Sequence, residues 1–210
     1  MEMRKREPYL GRIILAFVIA TVIFVSVFII AYGVSYLNYQ SISRRNNLIG
    51  TYIAELDSVL EENSCSDEIL FEASGKLDEV GARLDLLEKR FGKTDVRVLE
   101  QKKLYSDLEI KHINIIKAFN EECGRNFTLL FFFYSNLGSR RDRSERIGLV
   151  LGYFKRKNPE AMVYSFDYDL DYPSVNALKN RYDLPSVPIV VVNEKDVVNV
   201  NSVEDLYPYV

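Results

Sequence analysis

No charged side chain occurs between Arg12 and Arg44, and residues 13–37, opening on Ile13 and closing on Leu37, are dominated by Ile, Val, Phe, Ala and Leu. A helix over those 25 residues is roughly 37 Å long at ~1.5 Å per residue, enough to cross a ~30 Å hydrocarbon core with some tilt. Tyr9 before it, and Tyr36 and Tyr39 after it, suit the interfacial belt. A cleaved signal peptide is the competing reading, but its apolar core is only about 7–15 residues long and ends at a small-residue cleavage site. Ala31-Tyr32-Gly33 is a poor site buried within a longer run. The expectation is an uncleaved signal-anchor that meets the lipid bilayer from Ile13 to Leu37.

Flanking charge sets the orientation. Arg4, Lys5, Arg6 and Arg12 precede the run, whereas Arg44 and Arg45 follow it. The positive-inside rule keeps residues 1–12 in the cytoplasm and sends everything after Tyr39 outward, making a single-pass membrane protein with an extracytoplasmic C-terminal domain. The chain has 210 residues, room for one ordinary domain plus something elongated. A formal net charge of −3 offers no clustered basic face for nucleic acid, and Arg140-Arg141-Asp142-Arg143 is too short and mixed to change that.

Residues 38–123 read as a helical stalk. Proline is absent between residues 46 and 121, and Leu70, Ala73, Leu77, Val80, Leu84, Leu87 and Phe91 alternate spacings of three and four, an a/d seam. Ile49, Tyr52, Leu56 and Val59 repeat the spacing upstream, and Tyr105, Leu108, His112, Ile115 and Phe119 repeat it downstream. Gly92 and Thr94 read as a stop and a cap between two helices of an antiparallel coiled-coil hairpin. Cys65 and Cys123, the two cysteines of the chain, then fall beside each other at its base. A structural disulfide there stabilises by about 4 kcal/mol and requires an oxidising compartment. Two unpaired small hydrophobes, or a redox-active dithiol, are the other readings. His112 reads as a seam histidine, and Asp78, Glu79, Asp85 and Glu88 as a solvated face. Ile53, Leu60, Ile69, Ile110 and Ile113 leave further apolar helical faces for a homo-oligomer.

After Gly124-Arg125-Asn126, the run Phe127 to Tyr134 is β-prone and apolar on both faces, as a central strand requires. A helix is expected over 142–157 with Ile147, Leu151 and Phe154 inward, a strand over 162–166, and a helix over 175–182. Strands over 189–192 and 197–200 and a short helix from Ser202 complete a β-α-β-α-β-β-α order. Tyr182-Asp183-Leu184-Pro185-Ser186-Val187-Pro188 followed by Ile189-Val190-Val191-Val192 resembles the thioredoxin family's cis-proline and strand signature. The resemblance covers residues 126–210 and implies an α/β thioredoxin-like domain with a cis Pro188.

The family's reactive Cys-x-x-Cys is missing: Gly138, Ser139, Arg140 and Arg141 stand in its place. The resemblance sets Val187 and Pro188 opposite them. Thiol–disulfide exchange needs a thiolate that these residues cannot supply, and Ser139 lacks the base of a hydrolytic nucleophile. The six residues are therefore read as a groove for an extended peptide or a carboxylate, or as vestigial. No catalytic residue, metal ligand or cofactor is expected. Asn126-Phe127-Thr128 fits a glycosylation sequon at the start of a buried strand, and Asp167, Asp169 and Asp171 read as a solvated loop rather than a calcium site. The functional expectation is a redox-inactive binding or scaffolding module with a protein or peptide partner, assisting folding or assembly of exported proteins. A membrane-anchored thiol–disulfide oxidoreductase using Cys65 and Cys123, and an oligomeric structural stalk, are the alternatives.

Overall fold

The structure, a computed structural model, describes Tyr9 and residues 11–33, 65–184 and 186–210. The chain divides into two compact units, Met1–Leu48 and Ile49–Val210. In the first, helix α1 (Gly11–Gly33) is 23 residues long with a mean hydropathy of 3.2. It is long and apolar enough to cross a membrane, and its apolar side chains are exposed along its length. Its mid-helix hydroxyls bond back one turn, Thr21 Oγ1 to the Phe17 carbonyl at 2.9 Å and Ser26 Oγ to the Val22 carbonyl at 2.7 Å, so neither needs water. Arg4, Lys5, Arg6, Tyr36, Tyr39, Arg44 and Arg45, and the repeat Ile49, Tyr52, Leu56 and Val59, lie outside the described residues. So do Ile53 and Leu60.

The second unit opens with helices α2 (Asp67–Phe91) and α3 (Val96–Glu122). Asp67 and Glu68 begin α2 and Lys89 and Arg90 end it, each sign facing the favourable end of the helix dipole. Gly92 stops it at φ 90°, a left-handed value that glycine adopts without a steric penalty, and its N–H bonds the Glu88 carbonyl at 2.8 Å. The cap of α3 is Asp95, one residue after the expected Thr94: its carboxylate accepts from Arg97 N at 2.9 Å. A disulfide joins Cys65 to Cys123, with the Cα atoms 5.7 Å apart across 58 residues of sequence. The short turn at one end and the bridge at the other make α2 and α3 an antiparallel hairpin.

Next come β1 (Thr128–Tyr134), α4 (Arg140–Lys157), β2 (Ala161–Asp167), α5 (Pro173–Tyr182), β3 (Ile189–Val192) and β4 (Asp196–Val198). They form a mixed four-stranded sheet in the order β2-β1-β3-β4, with β1 parallel to β2 and β3 antiparallel to both its neighbours. The expected helix from Ser202 is instead a pair of 3-10 turns, Val203–Asp205 and Tyr207–Tyr209. Asp205 draws back the amides of Asn201 and Ser202, which closes the turn after one residue set.

Strand β1 is buried on both faces, and side-chain alternation assigns each face a layer. Leu130 and Phe132 pack with Ile147, Leu151 and Phe154 of α4. Leu129, Phe131 and Phe133 pack with α3 and α5 and, through them, with Leu70, Ala73 and Leu77 of α2. The hairpin expected as a separate stalk thus shares one core with the sheet: Leu108, Ile115 and Phe119, foreseen as a helix–helix seam, close onto strands. Ile113, expected on a face free for oligomerisation, is buried in the same core.

Candidate functional site

The register pairs Phe133 with Ile189, so residues 187–188 stand at the sheet end from which β1 runs into residues 135–141. The Val187–Pro188 peptide bond is cis. Both side chains are buried, Val187 within the core on the α3 and α5 side. Gly138 has φ 54° and Ser139 precedes α4 without a capping bond. Arg140 Nη2 lies 3.7 Å from Asp169 Oδ1, and Arg141 Nε donates to Glu145 Oε1 at 3.2 Å. Both arginines are therefore engaged within the chain.

A cavity of about 480 Å³ opens close by, between the hairpin, α4 and the carboxyl ends of β1 and β2. None of Gly138, Ser139, Arg140, Arg141, Val187, Pro188, Cys65 and Cys123 lines it. Its most buried wall is an ion cluster. Lys102, 2% exposed, donates to Asp167 Oδ2 at 2.6 Å and to Glu88 Oε1 at 2.9 Å. Asn136 Nδ2 donates to the same Asp167 oxygen at 2.9 Å, and Asp169 N donates to the other at 3.0 Å. Glu88 and Asp167, expected on solvated surfaces, are instead both drawn in, because each pairs with the buried Lys102 ammonium. Phe132, Tyr105 and Tyr134 supply aromatic walls. The Lys102 ammonium sits 5.6 Å from the Tyr134 ring centre, and burial, with Asp167 and Glu88 adding, pushes the Tyr134 phenol well above its ordinary range. Two surface pairs tie the hairpin side to α4: Lys93 to Glu145 at 3.0 Å and Lys155 to Asp78 at 2.7 Å.

Behind this wall, Glu109 is fully enclosed. Its Oε1 accepts from Ser165 N at 2.7 Å, and its Oε2 has no partner. Burial pushes its carboxyl well above the usual carboxylate range, against the opposing pull of the Ser165 N–H, Lys155 and Tyr105. His112 lies one turn on, with Nε2 3.0 Å from Ser74 Oγ and Nδ1 2.8 Å from the Tyr164 hydroxyl. Burial, assisted by Lys155 and opposed by Asp78, brings its pKa down to about 4. Ser74 and His112 have the spacing of a nucleophile and base, but neither lines the cavity, and the chain of contacts serves to satisfy a buried ring.

Lys102, Ser106 and Glu109 escaped the sequence reading, which followed only apolar periodicity. The signal was there: spacings of four and three place these polar residues on one stripe of α3, adjoining the apolar one. Among the described residues no group of three or more His, Cys, Asp or Glu side chains is placed to hold a metal ion. The site combines fixed charges, aromatic walls and neutral hydrogen-bonding groups, a chemistry suited to holding a ligand. Comparison with family models, with curated proteins and with solved structures finds no match to this chain.

Proposed function

We propose that the protein is a membrane-anchored, redox-inactive binding module with a thioredoxin-like head outside the cytoplasm. The observation that carries this reading is the separation of sulfur from site. The cysteines are tied together at the base of the hairpin, whereas the cavity is built at its turn end and at the carboxyl ends of β1 and β2. Crevices outside the carboxyl ends of strands are where open α/β sheets take ligands. The element order β1-α4-β2-α5-β3-β4 is the order the family resemblance implies, and the helix Gly11–Gly33 has the length and hydropathy of an anchor. The disulfide suits an oxidising compartment, in agreement with the flanking charges that direct residues 1–12 inward. Tethered this way, the head retains a partner at the membrane surface during folding or assembly.

Full-length protein in nanodiscs, assayed for reduction of insulin disulfides with and without glutathione, provides the test. Turnover indistinguishable from Cys65→Ser/Cys123→Ser is the expected result. Turnover that disappears in that variant transfers the function to a thiol–disulfide oxidoreductase. Thiol labelling of Cys65→Ser/Cys123→Ser/Ser186→Cys protein in sealed vesicles checks the orientation: reagent confined outside the cytoplasmic face must reach the exposed position 186.

A further inference from the structure

We propose that the outward face of α4 docks on the surface of the bilayer that holds the anchor, through anionic lipid headgroups. The inference rests on the anchored reading above and concerns residues that the cavity does not use.

Helix α4 packs on the sheet through Ile147, Leu151 and Phe154. The helical period sets Arg146, Leu149, Tyr153, Arg156 and Lys157 on the opposite side, at spacings of three and four. All five are exposed, Leu149 at 75% and Tyr153 at 44%. A lone surface leucine requires no account, but this one is followed one turn on by a tyrosine and framed by three cations. Among the described residues, none of Arg146, Arg156 and Lys157 is paired with a carboxylate. The other cations of α4 are engaged: Arg140 with Asp169, Arg141 with Glu145, Lys155 with Asp78, and Arg143 with the Asn199 amide oxygen. Lys157 leans over the Tyr153 ring, its Nζ 5.9 Å from the centre, which holds charge and ring at one level. Asp142 on the first turn and Glu160 beyond the last flank the stripe, so its middle and C-terminal end are positive. Cations framing a leucine and a tyrosine are what an interfacial helix presents. The guanidinium and ammonium groups meet phosphate oxygens, and the two apolar bodies enter the boundary between headgroups and acyl chains.

The place of the stripe in the fold agrees. Strands β1 and β2 start at the same end of the sheet, Thr128 opposite Ala161, and α4 returns the chain to that end at Lys157. The base of the hairpin is there too: Phe127 N donates to Asn120 Oδ1 at 2.8 Å, and Cys123 is bridged to Cys65, by which the chain arrives from the anchor. Residues 34–64 join the anchor to this end, so the lipid surface is presented at high effective concentration and a weak contact suffices. A second copy laid on the stripe would set one surplus of cations against another, whereas an anionic leaflet answers it.

For the test, full-length Leu149→Cys is labelled with a nitroxide; Cys65 and Cys123 stay bridged, so the added thiol alone reacts. The protein is placed in nanodiscs of phosphatidylcholine, or of phosphatidylcholine and phosphatidylglycerol in equal parts. Electron paramagnetic resonance reads collision of the label with oxygen, which partitions into lipid, and with a nickel chelate, which stays in water. In the anionic discs the label is expected to be open to oxygen and shielded from nickel, and in the zwitterionic discs the reverse. Salt at ~1 M should abolish the shielding. Arg146→Gln/Arg156→Gln/Lys157→Gln should lower the ratio of docked to free head by about a hundredfold, about fivefold per cation, with an unchanged melting temperature. A label on Ser186→Cys, an exposed position outside α4, should stay aqueous throughout. A Leu149→Cys label that is aqueous in both discs, equally immersed in both, or immersed irrespective of the triple substitution overturns the docking. Shielding from both probes with spin–spin broadening assigns the face to a second copy and overturns it as well. Protein that does not migrate with the discs overturns the anchor, and the docking with it; protein that migrates with them but carries an aqueous label overturns the docking alone.

Discussion

Lys102 is one of the charged residues that α3 turns into the interior of the fold. It brings a full charge to a position 2% exposed, answered by Asp167 on the sheet and Glu88 on the neighbouring helix. Removing one member of a buried ion cluster leaves the others unpaired, which costs more than the cluster itself contributes. Lys102→Met is therefore expected to destabilise by about 3–5 kcal/mol in urea unfolding, and Lys102→Met/Asp167→Asn to recover part of that loss. Additive effects would show that the two residues do not interact. Glu109 and His112 oppose each other in pH. Unfolded, His112 titrates near 6.5, and folded near 4, so its contribution is complete above pH 6.5 and is lost as pH falls from there toward 4. The gap corresponds to about 3 kcal/mol at most. Glu109 has a raised folded pKa, so its contribution is complete below about pH 4.5, the ordinary carboxylate value, and is lost as pH rises toward the folded value. Glu109→Gln mimics the neutral acid: it should match the native chain near pH 4.5 and exceed it in stability at pH 8. A variant equally destabilised at both pH values would mean that Glu109 is ionised in the fold.

At the scale of elements, α2 offers an internal comparison between two glycines. A Cβ at Gly75 would meet nothing within 4 Å, whereas at Gly81 it would come within 2.8 Å of the Tyr105 hydroxyl and 3.3 Å of its ring. Gly75→Ala should stabilise by about 0.5–1 kcal/mol through helix propensity alone. Gly81→Ala should forfeit that gain and lower the melting temperature, because the Tyr105 ring must move out of its place between the helices. A gain at both sites would mean that the ring moves freely. These elements were also the most legible in sequence. Strand β3 runs over the residues expected, Ile189–Val192, and Ile147, Leu151 and Phe154 all point inward, because local period and a long-range core demanded the same pattern there. Along the seam expected between α2 and α3, Leu70, Ala73, Leu77, Leu108, Ile115 and Phe119 are buried in a core shared with the sheet, whereas Val80, Leu84, Leu87 and Phe91 are only half-buried. Periodicity reports that a face is covered and carries no information on what covers it. The cavity was illegible for the same reason: Lys102 and Asp167 are 65 residues apart in sequence, and a lysine among helical residues gives no sign of being enclosed. Candidate site residues chosen by resemblance, Gly138 to Arg141, came within two residues of Asn136, which does border the cavity.

For the whole second unit, a common core and one disulfide predict a single unfolding transition. The bridge closes a loop across 58 residues, for which the chain-entropy relation gives about 4 kcal/mol. Cys65→Ser/Cys123→Ser should lose about that much, with tyrosine fluorescence and helical circular dichroism still falling together. A first transition in the helical signal alone would show that the hairpin is an independent stalk after all. Finally, the short bond from Ser165 N to the enclosed Glu109 carboxyl has a bearing on assembly. β2 is an outermost strand of the sheet, and an amide there that faced outward unpaired would be a template for a further strand. With that amide claimed from within, one of the pairing positions a further strand would need on this edge is already taken, and the opposite margin, β4, is three residues long and carries Asp196.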